Sequence, residues 1–178
     1  MNYRLPTFRS CAGIFLVYML LMAICTVGVS AADITIGVPG NINNWQLSMG
    51  KTNIDTSSVY LTVQSDSSPW YLKVTDALDN GKSISYAGHM TEWSGSSYVA
   101  SPHILNNDMT ISALSGTGYS VDPAVSLSNT SQRIVTGTLT NTPVNIPINV
   151  TQQVTGTDVN LTSNNVYRIV LTFTGGFS

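Results

Sequence analysis

Beyond residue 31 the chain has no cysteine; its two thiols, Cys11 and Cys25, both precede that point. Thiol nucleophiles, thiolate metal ligands and disulfide staples are thereby excluded from residues 32–178, which must cohere through packing and backbone pairing. Charge is scarce, at 9% of all residues. In residues 32–178 five basic side chains stand against nine acids, an excess of four negative charges. That balance argues against nucleic acid and anionic lipid surfaces as partners. Glu92 is the sole glutamate, so the carboxylate pair of a glycosidase has little support. Serine is abundant, yet no Gly-x-Ser-x-Gly elbow occurs, and the chain reads as non-catalytic.

No apolar run long enough to cross a bilayer follows residue 29. Ahead of it, Arg4 and Arg9 lie in an acid-free start, and Cys11 to Val29 is about 19 almost wholly apolar residues. Val29-Ser30-Ala31 then supplies small side chains before the polar restart at Asp33. The layout predicts a secretory signal peptide over 1–31, helical and cut after Ala31. Its apolar run exceeds a usual signal core of roughly 7–15 residues, so the alternative is an uncleaved anchor, which would be the chain's one membrane attachment. Residues 32–178 are expected to form a single domain outside the cell or at its surface.

Ser and Thr supply about a quarter of that domain and take the place of charge, a composition common in extracellular β proteins. In Pro69-Trp70-Tyr71-Leu72-Lys73-Val74-Thr75-Asp76, the residues Trp70, Leu72 and Val74 share one face of an extended chain. Trp45-Gln46-Leu47 repeats the device. The same period predicts strands around Ile34–Val38, Val59–Val63, Met109–Ile111, Gln132–Leu139 and Val144–Val150, with further extended chain at Ile84–Tyr86, within 119–127 and at Val159–Leu161. Lys51–Ser57 reads as a polar loop, Asp79-Asn80-Gly81 as a turn needing positive φ, and Ala87–Asp108 as the longest irregular stretch. Pro147 cannot donate to a ladder, which predicts a sheet edge or a bulge there. Tyr167, Ile169, Leu171 and Phe173 form the cleanest alternation, ended by Gly175-Gly176. The expected fold is all-β, an antiparallel β-sandwich of Ig-like or jelly-roll-like type. Its expected core is Trp45, Leu47, Trp70, Leu72, Val74, Tyr167, Ile169, Leu171 and Phe173.

Two Trp-x-Leu strands, Trp45/Leu47 and Trp70/Leu72, followed by a closing Tyr167-x-Ile169-x-Leu171-x-Phe173 strand, make a pattern that resembles the WxL-type domains of bacterial cell surfaces and their secreted archaeal counterparts. The bacterial domains carry a second Trp-x-Leu near the C-terminus, where this chain has Phe173-Thr174-Gly175. The resemblance implies an exported, surface-associated, non-catalytic β domain.

Candidate sites concentrate in the irregular stretch. Trp93 and Tyr98, with His89 and His103, are the expected ligand-binding residues, because aromatic and polar side chains on loops of a rigid scaffold are where recognition usually resides. The competing reading folds Trp93 back as a lid on the core. His89, Glu92, His103 and Asp108 have metal-ligand chemistry, but their spacing fits no usual zinc arrangement. No metal or cofactor is expected. Asn129, Asn149 and Asn160 head Asn-x-Ser/Thr acceptors for glycans. The expected function is a structural or adhesive component of the cell envelope, with envelope polymers, other surface proteins or further copies of itself, joined by strand addition, as partners. A glycan-binding module built around Trp93 is the alternative, and a hydrolase the third.

Overall fold

The computed structural model describes residues 32–38, 41–43, 45–56, 58–161 and 164–178. The expected signal helix over 1–31 lies outside these residues. The strands are β1 (Ile34–Gly37), β2 (Thr52–Asp55), β3 (Tyr60–Ser65), β4 (Trp70–Asp76), β5 (Thr91–Trp93), β6 (Thr110–Ala113), β7 (Tyr119–Val121), β8 (Val125–Ser126), β9 (Gln132–Gly137), β10 (Thr140–Gln153), β11 (Val166–Arg168) and β12 (Leu171–Phe177). One sheet runs β1-β3-β10-β6-β8, with β2 also on β10; a second runs β12-β4-β9-β7; β11 and β5 form a separate pair. Every pairing is antiparallel.

The alternation rule accounts for the core. Along β4 the odd steps Trp70, Leu72 and Val74 are buried and the even steps half-buried. Leu61 and Val63 of β3, and Ile146, Ile148 and Val150 of β10, do the same for the larger sheet. All of them belong to one hydrophobic cluster. The two larger sheets therefore share a core, and the all-β fold is sandwich-like. Trp70 is its largest fully buried side chain, and its indole N–H donates to the Thr138 carbonyl.

Several expectations are corrected. Trp45 and Leu47 are not on a strand; they are half-buried in irregular chain and pack against the core from outside it. Lys51–Ser57 holds β2, a mostly polar strand that exists because β10 is 14 residues long and offers Val150–Gln153 as a template. Ile84–Tyr86 is a 3-10 turn, started by the Ser83 hydroxyl accepting from the Ser85 N–H, and not extended chain. No strand forms at Val159–Leu161.

Pro147 is in the central strand and not at an edge. It faces Tyr60 in the last pair of the β3 ladder. On its other side the Leu114 N–H donates to the Pro147 carbonyl at 2.9 Å, and β6 pairs from Ile148 onward. Proline's missing N–H thus falls where the β6 ladder ends, so no interior bond is lost. The register shift in β10 lies between Thr140 and Val144.

The closing alternation is two strands. Tyr167 is in β11, Leu171 and Phe173 are in β12, and Ile169 lies between, all half-buried against the core. Gly175 and Gly176 do not end β12, which pairs in unbroken register with β4 as far as Phe177 opposite Trp70. Close approach explains the glycines. A Cβ on Gly175 would sit 2.7 Å from Ile36 Cδ1 and one on Gly176 would sit 2.5 Å from the Tyr71 hydroxyl.

Candidate functional site

The expected binding aromatics come together, and two residues not singled out in the sequence join them. β5 gives Ala87–Asp108 a short strand, with Trp93 opposite Val166 and Thr91 opposite Arg168. Trp93 and Arg168 are therefore diagonal neighbours on one face of the β5–β11 pair, within reach for large side chains. The Arg168 guanidinium lies 4.2 Å from the Trp93 ring centroid. Tyr98, bridged to Trp93 through the backbone, meets the same indole edge-on at 5.0 Å.

Asp79 closes the cluster from the turn after β4. Its carboxylate pairs with Arg168 Nη2 at 2.7 Å and accepts from the Tyr98 hydroxyl at 3.1 Å. Burial pushes the Asp79 pKa up, but the bonds from Arg168 and Tyr98 outweigh it and hold the group below its ordinary range. Burial, then the Asp79 charge, pushes Tyr98 up to about 12. The phenol thus stays protonated and donates. Arg168 has used its stacking face and its fork on neighbours within the chain, so the cluster acts as a bracket tying the β5–β11 pair to the turn.

That turn is set by a buried ion pair. Asp76 continues the inward face of Trp70, Leu72 and Val74, and Lys82 Nζ reaches its Oδ2 at 2.6 Å, with both side chains shielded from solvent. Lys82 also donates to the His89 carbonyl at 2.7 Å, and Asp76 accepts from the Gly88 and Leu78 N–H groups at 2.9 and 3.1 Å. Burial lowers the Lys82 pKa against the pull of Asp76. The expected Asp79-Asn80-Gly81 turn forms with φ of 47° at Asn80 and 77° at Gly81.

The histidines do not converge. His89 places Nδ1 on the Leu105 carbonyl at 2.8 Å and Nε2 on Asp108 at 3.1 Å. His103 pairs instead with Glu92, ring to carboxylate, at 2.8 Å. The His103 backbone N–H, then Asn165, then the His103 ring hold Glu92 down to about 2. Among the described residues no group of three His, Cys, Asp or Glu side chains is placed to hold a metal ion. Two open depressions, of about 380 and 310 Å³, are lined by Ser, Thr, Asn, Gln and Asp, and neither includes Trp93, Tyr98, His89 or His103.

No family model matches the chain, and no curated protein or solved structure matches it. Its chemistry has to be read from these contacts. Of the glycan acceptors, Asn129 and Asn160 are exposed outside the strands. Asn149 is half-buried in mid-strand opposite Ser112, with its Oδ1 covered and unbonded. Two signals bearing on the bracket were present in the sequence. Asp76 extends an inward alternation by one step, which predicts a buried carboxylate needing a cation. Arg168 is one of only five cations after residue 31, but nothing local ties it to a tryptophan 75 positions away.

Proposed function

We propose that this chain is an exported, non-catalytic β-sandwich, of Ig-like or jelly-roll-like type, serving as a structural or adhesive component of the cell envelope. The observation that carries this reading is that the clustered reactive side chains are spent on one another. Arg168 is consumed by Trp93, Asp79 and Tyr98, Lys82 by Asp76, and Glu92 by His103 and Asn165. Such groups brace a scaffold. The Ser/Thr-rich, weakly charged composition and the resemblance to WxL-type surface domains support the location. Protein recovered from the surface of its native cells should have a mass beginning at Ala32, with hexose-rich increments on Asn129 and Asn160. A bare chain that begins at Met1 and is found only inside the cell would sink the proposal.

The partial exposure of Trp93 and Tyr98 favours the glycan-binding module as the second reading, and Trp93→Ala separates the two. As a brace, its loss should cost about 2 kcal/mol, from half the burial of an indole plus the cation–π contact. The melting temperature should then fall while retention on polysaccharide columns stays unchanged. Retention lost at an unchanged melting temperature would install the glycan module instead.

A further inference from the structure

The fold's sheet edges are unequal. β1, β7 and β8 are edge strands of four, three and two residues, short enough to offer a poor template to another chain. β12 is an edge strand of seven residues with no charge, no proline and no break in register against β4. Among the described residues no strand pairs with its other side.

The direction of its backbone groups follows from the bonds at its two ends. The Ala77 N–H donates to the Val170 carbonyl at 2.8 Å, and the Ser178 N–H to the Pro69 carbonyl at 3.2 Å. Antiparallel ladders alternate, so Thr172, Thr174 and Gly176 turn their N–H and C=O groups to β4. Leu171, Phe173, Gly175 and Phe177 present theirs to the open side.

We propose that this edge pairs with the same edge of a second copy, antiparallel and centred on Thr174. In this register Leu171 stands opposite the second copy's Phe177 and Phe173 opposite its Gly175, so all four outward residues find partners and eight backbone hydrogen bonds form, about two per facing pair. The side chains fit the same two-fold. Each Phe173 stands opposite a Gly175 whose inward face is covered by Ile34 and Ile36 of its own copy, so the ring would extend an apolar contact already present there. On the opposite face, exposed Thr174 meets exposed Thr174. Leu171, Phe173 and Phe177, half-buried at an open edge, become interior to a sheet of twice the width. Shifting the pairing by one residue would set bonded groups against free ones, and moving the two-fold to Phe173 or Gly175 would leave one of the four outward residues unpaired, so the register centred on Thr174 forms the most bonds.

This sharpens the self-association named among the partners of the proposed envelope component. It rests on edge geometry and not on location, so a failure here leaves the surface reading standing. The test is the mass of the full chain by light scattering over rising concentration, with two variants at the two-fold. Thr174 lies opposite Lys73 on β4, so Thr174→Glu gains an opposite charge within its own sheet while facing its own copy. The wild-type chain should be a dimer. Thr174→Glu should be a folded monomer, its melting transition retained, which separates lost pairing from lost folding. An equal mixture of Thr174→Glu and Thr174→Lys should dimerise again. A wild-type monomer at every concentration overturns the proposal, as does a Thr174→Glu dimer of wild-type affinity or a mixture that stays monomeric.

Discussion

Asp76→Ala is expected to lower the unfolding free energy by about 3–5 kcal/mol, the range for breaking a buried pair by removing one partner. The substitution strands three donors at once. Lys82, whose side chain is 0% exposed, would keep only the His89 carbonyl, and the Gly88 and Leu78 N–H groups would lose their acceptor. Lys82→Met should cost less, because the carboxylate keeps both backbone donors and the aliphatic stem is replaced in kind. The order of the two variants is therefore diagnostic, and urea unfolding at neutral pH measures it. A cost below about 1 kcal/mol for Asp76→Ala, as for an exposed pair, would show that the pair is open to water. The effect should also reach the surface cluster. The bond from the Leu78 N–H to Asp76 steadies a residue held at φ of 47°, and the next residue is Asp79, the anchor of Arg168. Trp93 fluorescence should shift in Asp76→Ala under conditions where the chain is still folded.

Gly137→Ala should be nearly as damaging, at about 3 kcal/mol, the upper end for overpacking a core. Gly137 stands opposite Trp70 in the β4–β9 ladder, and a Cβ there would fall 1.9 Å from Trp70 Cζ2 and 2.2 Å from Cε2. The indole cannot swing clear without giving up both its fully buried seat and its bond to the Thr138 carbonyl. Because the collision is with particular ring atoms, it should couple to them. Trp70→Phe removes the outer part of the indole and will itself destabilise through the cavity and the lost hydrogen bond. In the double variant the added methyl occupies part of that cavity, so the combined cost should undershoot the sum of the singles by roughly 1–2 kcal/mol. Thermal or urea unfolding of the four proteins gives the coupling directly. Additive costs would mean that the new methyl is accommodated by strand movement and that the glycine is not a seat for the ring.

Both predictions concern β4, and β4 is where local pattern says most. Its strict alternation places Trp70, Leu72, Val74 and Asp76 on one face before any fold is known, since side chains of an extended chain can only point two ways. The same logic marks β3, β6, β9 and the latter part of β10. It fails where a strand owes its existence to a neighbour. β2 is polar, with its Ile54 exposed, and is extended because β10 overhangs the sheet beside it. It fails again where one alternation serves two sheets. Tyr167 through Phe173 reads as continuous, yet the chain leaves β5 and joins β4 within it. A proline that reads as an edge marker stands in the most central strand, because what matters is which ladder ends at that residue and on which side.

The candidate site divides in the same way. The sequence alone determined that Trp93, Tyr98, His89 and His103 lie in a stretch without sustained periodicity, that residues 32–178 carry no thiol and few charges, and which faces of the regular strands are apolar. Those properties depend on residue type and on the two-residue repeat, both of which are local. Only the tertiary structure decided that Arg168 covers Trp93, that Asp79 anchors it and that the two histidines serve different carboxylates. Each of these joins segments far apart in the chain, and loop closure brings such segments together at a cost that grows only slowly with length, so no local pattern records which pair will meet. The selection is made by the shared core, which rewards one arrangement of the strands and carries the polar side chains along with it.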